Sequence, residues 1–362
     1  MHVMSTGSLQ AGQKLGKPIY TSSGNVLLAA GKELSEAMIQ RLVALGITQV
    51  YVQDPRTDDI EIRDAVSEET RNRSVKVVYE SFSQMIEARK WKRTIANPRL
   101  GREFRSAFED ILYDLQSNKQ VMIQLSSIYT TDNYLYSHSV NVGIYSAALG
   151  MALGLGRDAL IDLGIGAMLH DIGKTQIPFE ILDKPGKLTD EEYAIMKTHS
   201  QVGYEILKEH PDIPLLSAHC ALQHHERLDG SGYPRQLKED QIHLYGQIVG
   251  IADVYDALTT NRVYRKAFLP HEALEMLFTT TGQFDSELIR KFHDNVAIYP
   301  LGLIVQLSSG ETAVVVDINT KYPHRPIIRV LKGADGVDIK VPYEIDLSSN
   351  LNVTITGCEQ IL

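Results

Sequence analysis

The feature that most constrains this chain is an ordered series of imidazoles and carboxylates through its middle: His138, His170-Asp171, His199, His224-His225 and Asp253. Imidazole and carboxylate together form the donor set of a borderline transition metal. The groups recur at intervals of 25 (199 to 224) to 32 (138 to 170) residues. A fold that uses them together must bring several helices onto one or two ions. Only five of the 12 histidines belong to the series, so order and context carry the argument, not histidine content.

Local patterns place these groups on helices. Thr189 and Glu192 have capping-box spacing and open a helix. On it His199 shares a face with Ile195, Met196, Val202 and Ile206. His138 aligns in the same way with Val142, Tyr145 and Leu149, and Asp253 falls beside Val249 and Ala252. A single histidine on an apolar stripe is ordinarily a core residue bonded to backbone. A buried carboxylate, however, must be protonated, paired or metal-bound, and a metal accounts for Asp171 and Asp253 together with the histidines. Asp171 has two oxygens and can bridge two cations, as in two-metal phosphoryl-transfer sites with ions about 3.5–4 Å apart.

The segments MLHDIGK (168–174), IMKTHSQVGYEIL (195–207), HHERLDGSGYP (224–234) and IADVYDALTTNRVYR (251–265), in this order, resemble the HD-GYP family of bacterial metallo-phosphodiesterases, within the wider HD superfamily. Each motif alone is weak; four long segments in sequence are specific. The resemblance covers roughly residues 120–300. It implies a mainly α chain built on an HD-GYP helical bundle, which the local patterns outside those residues flank with a small N-terminal α/β module and a small C-terminal β module. The implied activity is hydrolysis of cyclic di-GMP to pGpG, and onward to GMP, by a hydroxide that two metals activate. The implied ligands are His138, His170, Asp171, His199, His224, His225 and Asp253, holding two divalent transition-metal ions, commonly iron or manganese, with zinc not excluded. Relatives with a third ion carry Glu four residues before the first motif histidine; here Tyr134 stands there, so two ions are expected.

By the same resemblance Asp132 is a proton-relay or outer-sphere group, with a solvated helix cap as the competing reading. Lys174 would steady a phosphate oxygen or protonate the leaving alkoxide. Arg262 and Arg265 match positions that contact substrate phosphates, for which guanidinium forks are suited. The loop Asp229–Pro234 has turn chemistry and is in this family a proposed surface for a diguanylate-cyclase partner. Two rival readings remain: the same chemistry on another cyclic dinucleotide such as cyclic GMP-AMP, or a non-catalytic cyclic di-GMP receptor. The usual mark of the receptor, loss of HD or HH residues, is absent.

A chain of 362 residues supports two or three domains. The expected divisions are 1–60 (α/β module), 61–118 (helical linker region), 119–299 (HD-GYP domain) and 300–362 (β module). A net charge of −9 argues against a polymeric nucleic-acid partner. An anionic substrate therefore needs a local cationic site, which Lys174, Arg262 and Arg265 could supply; Lys266 reads as a surface charge. The longest uncharged apolar stretch, Val142 to Gly156, is too short to span a bilayer. The N-terminus lacks the layout of a signal peptide, and two cysteines imply no disulfide framework. The expected compartment is the cytoplasm.

In the flanks, Ser35 caps a helix stopped by Gly46, between strands at 26–28 and 50–52. Residues 54–59 read as a linker. Two helical stripes follow, Val78-Phe82-Met85 and Phe104-Phe108-Ile111-Leu112-Leu115, as internal packing or a homodimer seam. After Pro300 the period is that of strands, with turns at 308–310 and near 333–336. Gly173-Lys174-Thr175 imitates a P-loop end, but its required upstream glycine is Met168. The glycines at 154 and 156 imitate a dinucleotide fingerprint, yet follow a helix and read as an inter-helix turn.

Overall fold

The computed structural model describes residues 1–90, 99–118, 123–125, 128–129, 134–184, 186–260, 267–280 and 282–358. The proposed site residues Asp132, Arg262 and Arg265, and also Lys266, lie outside them.

The chain opens with β1 (His2–Ser5), β2 (Ile19–Tyr20), β3 (Val26–Leu28), α1 (Glu36–Ala44) and β4 (Gln49–Val52). The Ser35 hydroxyl accepts the Met38 N–H at the start of α1, and Gly46 follows its end at φ +72°. That left-handed conformation favours glycine and terminates the helix. Strand β1 pairs antiparallel with β4. β2 joins β3 and the later β5 (Ile128–Tyr129) in a second small sheet.

Two long helices follow, α2 (Glu68–Lys90) and α3 (Leu100–Ser117). Their apolar stripes are used inside the chain: Val78, Phe82, Phe104, Phe108, Ile111 and Leu112 are all fully buried in one core with the helices that come after. No external seam is needed to cover them. The bundle itself consists of α4 (Leu135–Ala152), α5 (Arg157–Leu169), the short α6 (Phe179–Leu182), α7 (Asp190–Lys208), α8 (Leu215–Gln223), α9 (Leu244–Thr259), α10 (Pro270–Thr279) and α11 (Ser286–His293). Helix α4 is its axis, buried on every side from Leu135 to Gly150 and packed on α2, α5 and α9. A helix apolar all round belongs in a core. Gly154, at φ +77°, turns the chain from α4 into α5, the inter-helix turn expected there. Among the described residues no helix is long and apolar enough to cross a membrane.

One helical face differs from expectation. In α7 the buried residues are His199, Ser200, Gly203 and Leu207, while Ile195 is exposed. Close approach of backbone, not bulk, selects this face. A Cβ on Gly173 would lie 2.0 Å from the His199 carbonyl, and one on Gly203 would lie 3.3 Å from Ala221. The glycines let α7 sit directly on the turn that carries His170-Asp171.

The C-terminal strands β6 (Ile304–Leu307), β7 (Thr312–Asp317), β8 (Ile327–Lys332), β9 (Asp338–Asp346) and β10 (Ile355–Cys358) form an antiparallel sheet in the order β10-β6-β7-β8-β9. The segment expected as a linker is packed against it. Thr57 is fully buried and its carbonyl accepts from the Met1 amine. Arg329 of β8 clasps Asp59 at 2.6 Å and donates to the Arg56 carbonyl. Tyr51, Ile60 and Ile62 share a core with Val305, Val314 and Val330. Apolar residues at 60 and 62 and paired charges at 56 and 59 fix a segment whose composition alone reads as a spacer.

Candidate metal centre

His138 projects from the first turn of α4. His170 and Asp171 follow the end of α5 and lead into a 3₁₀ turn, Ile172–Gln176. His199 lies midway along α7, whose start carries the expected Thr189–Glu192 capping box. His224 and His225 end α8, and Asp253 sits in α9. All seven side chains meet in one pocket. His138, His170, Asp171, His199 and His224 are at most 1% exposed, whereas His225 and Asp253 lie nearer its mouth, at 20% and 11% side-chain exposure.

The two oxygens of Asp171 divide the pocket. Oδ2 lies 3.6 Å from His138 Nε2 and 3.3 Å from His170 Nε2. On that same side Asp253 Oδ1 is 3.2 Å from His138 Nε2 and 4.0 Å from His170 Nε2. Oδ1 of Asp171 instead faces His199 Nε2 at 3.4 Å and His224 Nε2 at 3.9 Å. The second oxygen of Asp253 is 3.8 Å from His225 Nδ1. Lys174 Nζ stands 2.5 Å from Asp171 Oδ2.

The outward nitrogens decide what the inward ones can be. His170 Nδ1 is 2.7 Å from the Ala167 carbonyl, His199 Nδ1 is 2.7 Å from Met196 O, and His224 Nδ1 is 3.0 Å from Cys220 O. A carbonyl oxygen only accepts, so each Nδ1 carries a proton and each ring turns its Nε2 inward, as a bare lone pair wherever the ring is neutral. His138 Nδ1 is held likewise by Asp256 Oδ2 at 2.7 Å. Burial depresses the His199 pKa to about 4 and pushes His224 and His225 well below the usual histidine value. These rings are therefore neutral. For His138 burial works in the same direction, but the carboxylates of Asp253 and Asp256 outweigh it and raise its pKa to about 10. Burial opposes ionisation of Asp171 too, yet Lys174 and the surrounding histidines hold its pKa well below the usual range.

The pocket is thus a convergence of imidazole nitrogens and carboxylate oxygens with Lys174 as its one ammonium among the described residues. Among the described residues, His138 Nε2, His170 Nε2 and Asp171 Oδ1 are buried and make no hydrogen bond of good geometry. Leaving such groups orphaned costs free energy, and cations remove that cost. Two sets, His138-His170-Asp171 and His199-His224-His225, have donor atoms close enough to hold an ion. The donor chemistry and the orphaned atoms fit divalent metals.

The loop after His225 folds back under the ligand pair. Buried Glu226 accepts the Arg235 and Leu237 N–H groups, and the Arg227 guanidinium donates to the carbonyls of His224 and Glu226 while lying on the Phe284 ring. Gly232 packs so tightly that a Cβ would meet Arg227 N at 2.4 Å and His225 O at 2.5 Å. Tyr233 stacks on His225, centroids 4.6 Å apart. Asp229 and Ser231 remain exposed. Tyr134 lies beside the His138 ring, centroids 5.6 Å apart.

Sequence reasoning missed Asp256 and Asn141, which hold the far side of His138. The signal was available, because Asp256 follows Asp253, and Asn141 follows His138, by one helical turn.

Comparison with known proteins agrees with this geometry. Residues 114–288 match the family model described as HD domain, and residues 304–360 match a KOW domain associated with HD domain. A cyclic di-GMP phosphodiesterase of Pseudomonas aeruginosa is 35% identical over 237 residues, covering 66% of this chain and 57% of the relative. A 3′3′-cGAMP-specific phosphodiesterase of Vibrio cholerae serotype O1 is 35% identical over 188 residues, covering 50% of this chain and 36% of the relative. The chain thus spans little more than half the length of the first and about a third of the second. A solved HDG"Y"P protein from Bdellovibrio bacteriovorus shares the fold, with a TM-score of 0.51 at 19% identity over 81% of this chain and 98% of that one. The HD and HH pairs, the loop that closes beneath them and these relatives together show that residues 114–288 form an HD domain of the HD-GYP family.

Proposed function

We propose that this protein is a metal-dependent phosphodiesterase that hydrolyses cyclic di-GMP. The observation that carries the reading is the division of ligands between the two oxygens of Asp171. His138, His170 and Asp253 would hold one ion, and His199, His224 and His225 the other, with Asp171 shared. Iron or manganese suits this nitrogen and oxygen set. Two such ions supply an activated water and neutralise phosphate charge.

The chain's own groups orient and balance that chemistry. The carbonyls of Ala167, Met196 and Cys220 fix three imidazole tautomers, so no ring must turn when substrate arrives. Lys174 keeps its proton: burial disfavours the charge, but the Asp171 carboxylate overrides it. It therefore stands beside the ions as a donor, able to steady a phosphate oxygen or protonate the departing 3′ oxygen. Arg262 and Arg265 complete the reading as phosphate contacts, and Asp132 as an outer relay. The exposed Asp229 and Ser231 leave the 229–234 loop accessible, which supports reading it as a surface for a diguanylate-cyclase partner in a cytoplasmic setting.

A second reading, cyclic GMP-AMP as substrate, rests on the Vibrio cholerae relative, which is as identical as the Pseudomonas aeruginosa one, at 35%, over 188 residues against 237. Metal-loaded protein should be given cyclic di-GMP and 3′3′-cyclic GMP-AMP in parallel, with products separated by chromatography. Faster release of pGpG or GMP from cyclic di-GMP supports the first reading. Preference for the mixed dinucleotide moves the conclusion to the second, and binding without hydrolysis of either overturns both.

A further inference from the structure

The far nitrogen of His138 begins a chain of polar contacts that runs out of the HD domain. His138 Nδ1 meets Asp256 Oδ2 at 2.7 Å, Asn141 Nδ2 donates to Asp256 Oδ1 at 2.8 Å, and Arg71 Nη2 donates to Asn141 Oδ1 at 2.6 Å. All four residues are buried: Arg71 is 3% exposed, Asn141 7%, Asp256 2% and His138 1%. Arg71 belongs to α2, upstream of the residues that match the HD domain.

The chain has a direction, set at one end by Arg71 and at the other by the Asp256 carboxylate. A guanidinium has donors only, so the Asn141 oxygen must face Arg71 and its NH₂ must face Asp256. That amide occupies Asp256 Oδ1 and leaves Oδ2 for the His138 N–H. The imidazole is then fixed with its Nε2 turned into the pocket, where a bound cation would take the place of the Nε2 proton. Without the arginine, the Asn141 oxygen would lose its charged donor, and the amide would be held by the Asp256 carboxylate alone, so the carboxylate would lose its brace.

Arg71 is an expensive residue to bury. Among the described residues its Nε and Nη1 have no hydrogen-bond partner, a state that costs stability. The Tyr129 ring lies 5.1 Å from the guanidinium carbon and offsets part of this. The neighbouring residues of α2 are tied to other elements: Tyr129 Oη donates to Asn72, Tyr20 Oη donates to Glu68, and Lys17 Nζ is 3.1 Å from Glu68. The arginine is thus held in register by the N-terminal module while its head reaches toward a metal ligand.

We propose that Arg71 is a positioning residue for the ion at His138, acting through Asn141 and Asp256. The inference rests on the two-cation reading of the pocket, not on the identity of the substrate. Groups that orient a ligand from behind are typically worth about 10–100-fold in metal affinity.

Metal-free full-length protein should be titrated with Co²⁺, following heat and the visible absorption of the bound ion. In wild type two ions should bind. Arg71→Met should weaken one of them by about 10–100-fold and alter its absorption, leaving the other ion unchanged. Arg71→Lys, which retains a donor, should recover much of the loss. Asp256→Asn should weaken the same ion, and adding Arg71→Met to it should cost little more, because the two act in one chain. Should Arg71→Met fail to fold, Asn141→Ser, which breaks the link without removing the charge, carries the same expectation. Unchanged isotherms in these variants, or fully additive losses, overturn the proposal. The titration contains no substrate and is independent of the hydrolysis assay: a wild type that binds two ions here yet hydrolyses neither dinucleotide there sinks the phosphodiesterase reading and leaves the role of Arg71 to its own isotherms. A wild type that binds no ion overturns both.

Discussion

The Nε2 atoms of His199 and His224 stand 3.3 Å apart while both Nδ1 atoms are committed to backbone carbonyls. Two neutral imidazoles so arranged face each other with lone pairs, which repel. A shared cation turns that repulsion into coordination. The protein should therefore be markedly more stable with metal than without it. A divalent ion at 100 times its Kd should add about 2.7 kcal/mol through linkage, read as a rise in Tm when Mn²⁺ or Co²⁺ is returned to chelator-treated protein. An unchanged Tm would mean that the pocket is satisfied without metal.

Asp171→Asn keeps the shape of the side chain and removes the charge that faces both halves of the pocket. Bound metal should fall from about two ions per chain to at most one, and hydrolysis should be lost. Circular dichroism should be unchanged, because Asp171 organises ligands more than core. Near-normal turnover in this variant would refute the bridging role.

The metal-free protein should show a stability maximum close to neutral pH. His199 has a folded pKa near 4, below its unfolded value of about 6.5. Its contribution is full above 6.5 and lost as pH falls toward 4, and His224 and His225 act in the same direction. His138, raised to about 10, does the reverse: its contribution is full below 6.5 and lost as pH rises toward 10. Metal must displace the His138 proton, so metal binding at pH 8 should release protons. Denaturation of chelated protein from pH 4 to 10, with calorimetry in two buffers, checks both. Stability that climbs steadily to pH 10 would contradict the environment assigned to His138.

Much of this architecture is legible in the sequence because local signals agree with it. The Thr189–Glu192 capping box, the Ser35 cap and the strand periods after Pro300 all describe elements that form where they are expected. The order of His and Asp motifs foretells the convergence. The buried face of α7 was not legible, because glycines at 173 and 203 choose it through backbone approach, a three-dimensional fit that no apolar stripe encodes. Residues 54–59 look like a spacer because the partners of Arg56 and Asp59, at Asp338 and Arg329, lie far along the chain. Arg71 carries no local mark at all, since its partner Asn141 is on another helix.

Gly232→Ala should disturb the pair His224-His225 more than the fold. The added Cβ would meet backbone atoms of Arg227, Glu226 and His225 at 2.4–2.5 Å, and backbone cannot step aside as a flexible side chain can. Overpacking of this kind costs about 1–3 kcal/mol, taken up by displacement of the 229–234 loop. Weaker binding of the ion at His199, His224 and His225, with a Tm lowered by only a few degrees, is the expected result. Wild-type metal binding would show that the loop does not brace the ligands.

Lys174 and the arginines should separate in kinetics. An interaction made only in the transition state affects kcat, whereas one made equally in the bound ground state affects KM. Lys174 Nζ touches the Asp171 oxygen that faces His138 and His170, so its proton is available where charge develops on the departing oxygen. Lys174→Ala should lower kcat by about 10²–10⁴-fold, the range of general acid catalysis, with little change in KM and both metals retained. Arg262→Ala and Arg265→Ala should instead raise KM for cyclic di-GMP. Steady-state kinetics with metal analysis of each variant decides the assignment: a Lys174→Ala enzyme impaired only in KM would make the lysine a substrate clamp, and unchanged affinity in both arginine variants would place phosphate recognition elsewhere.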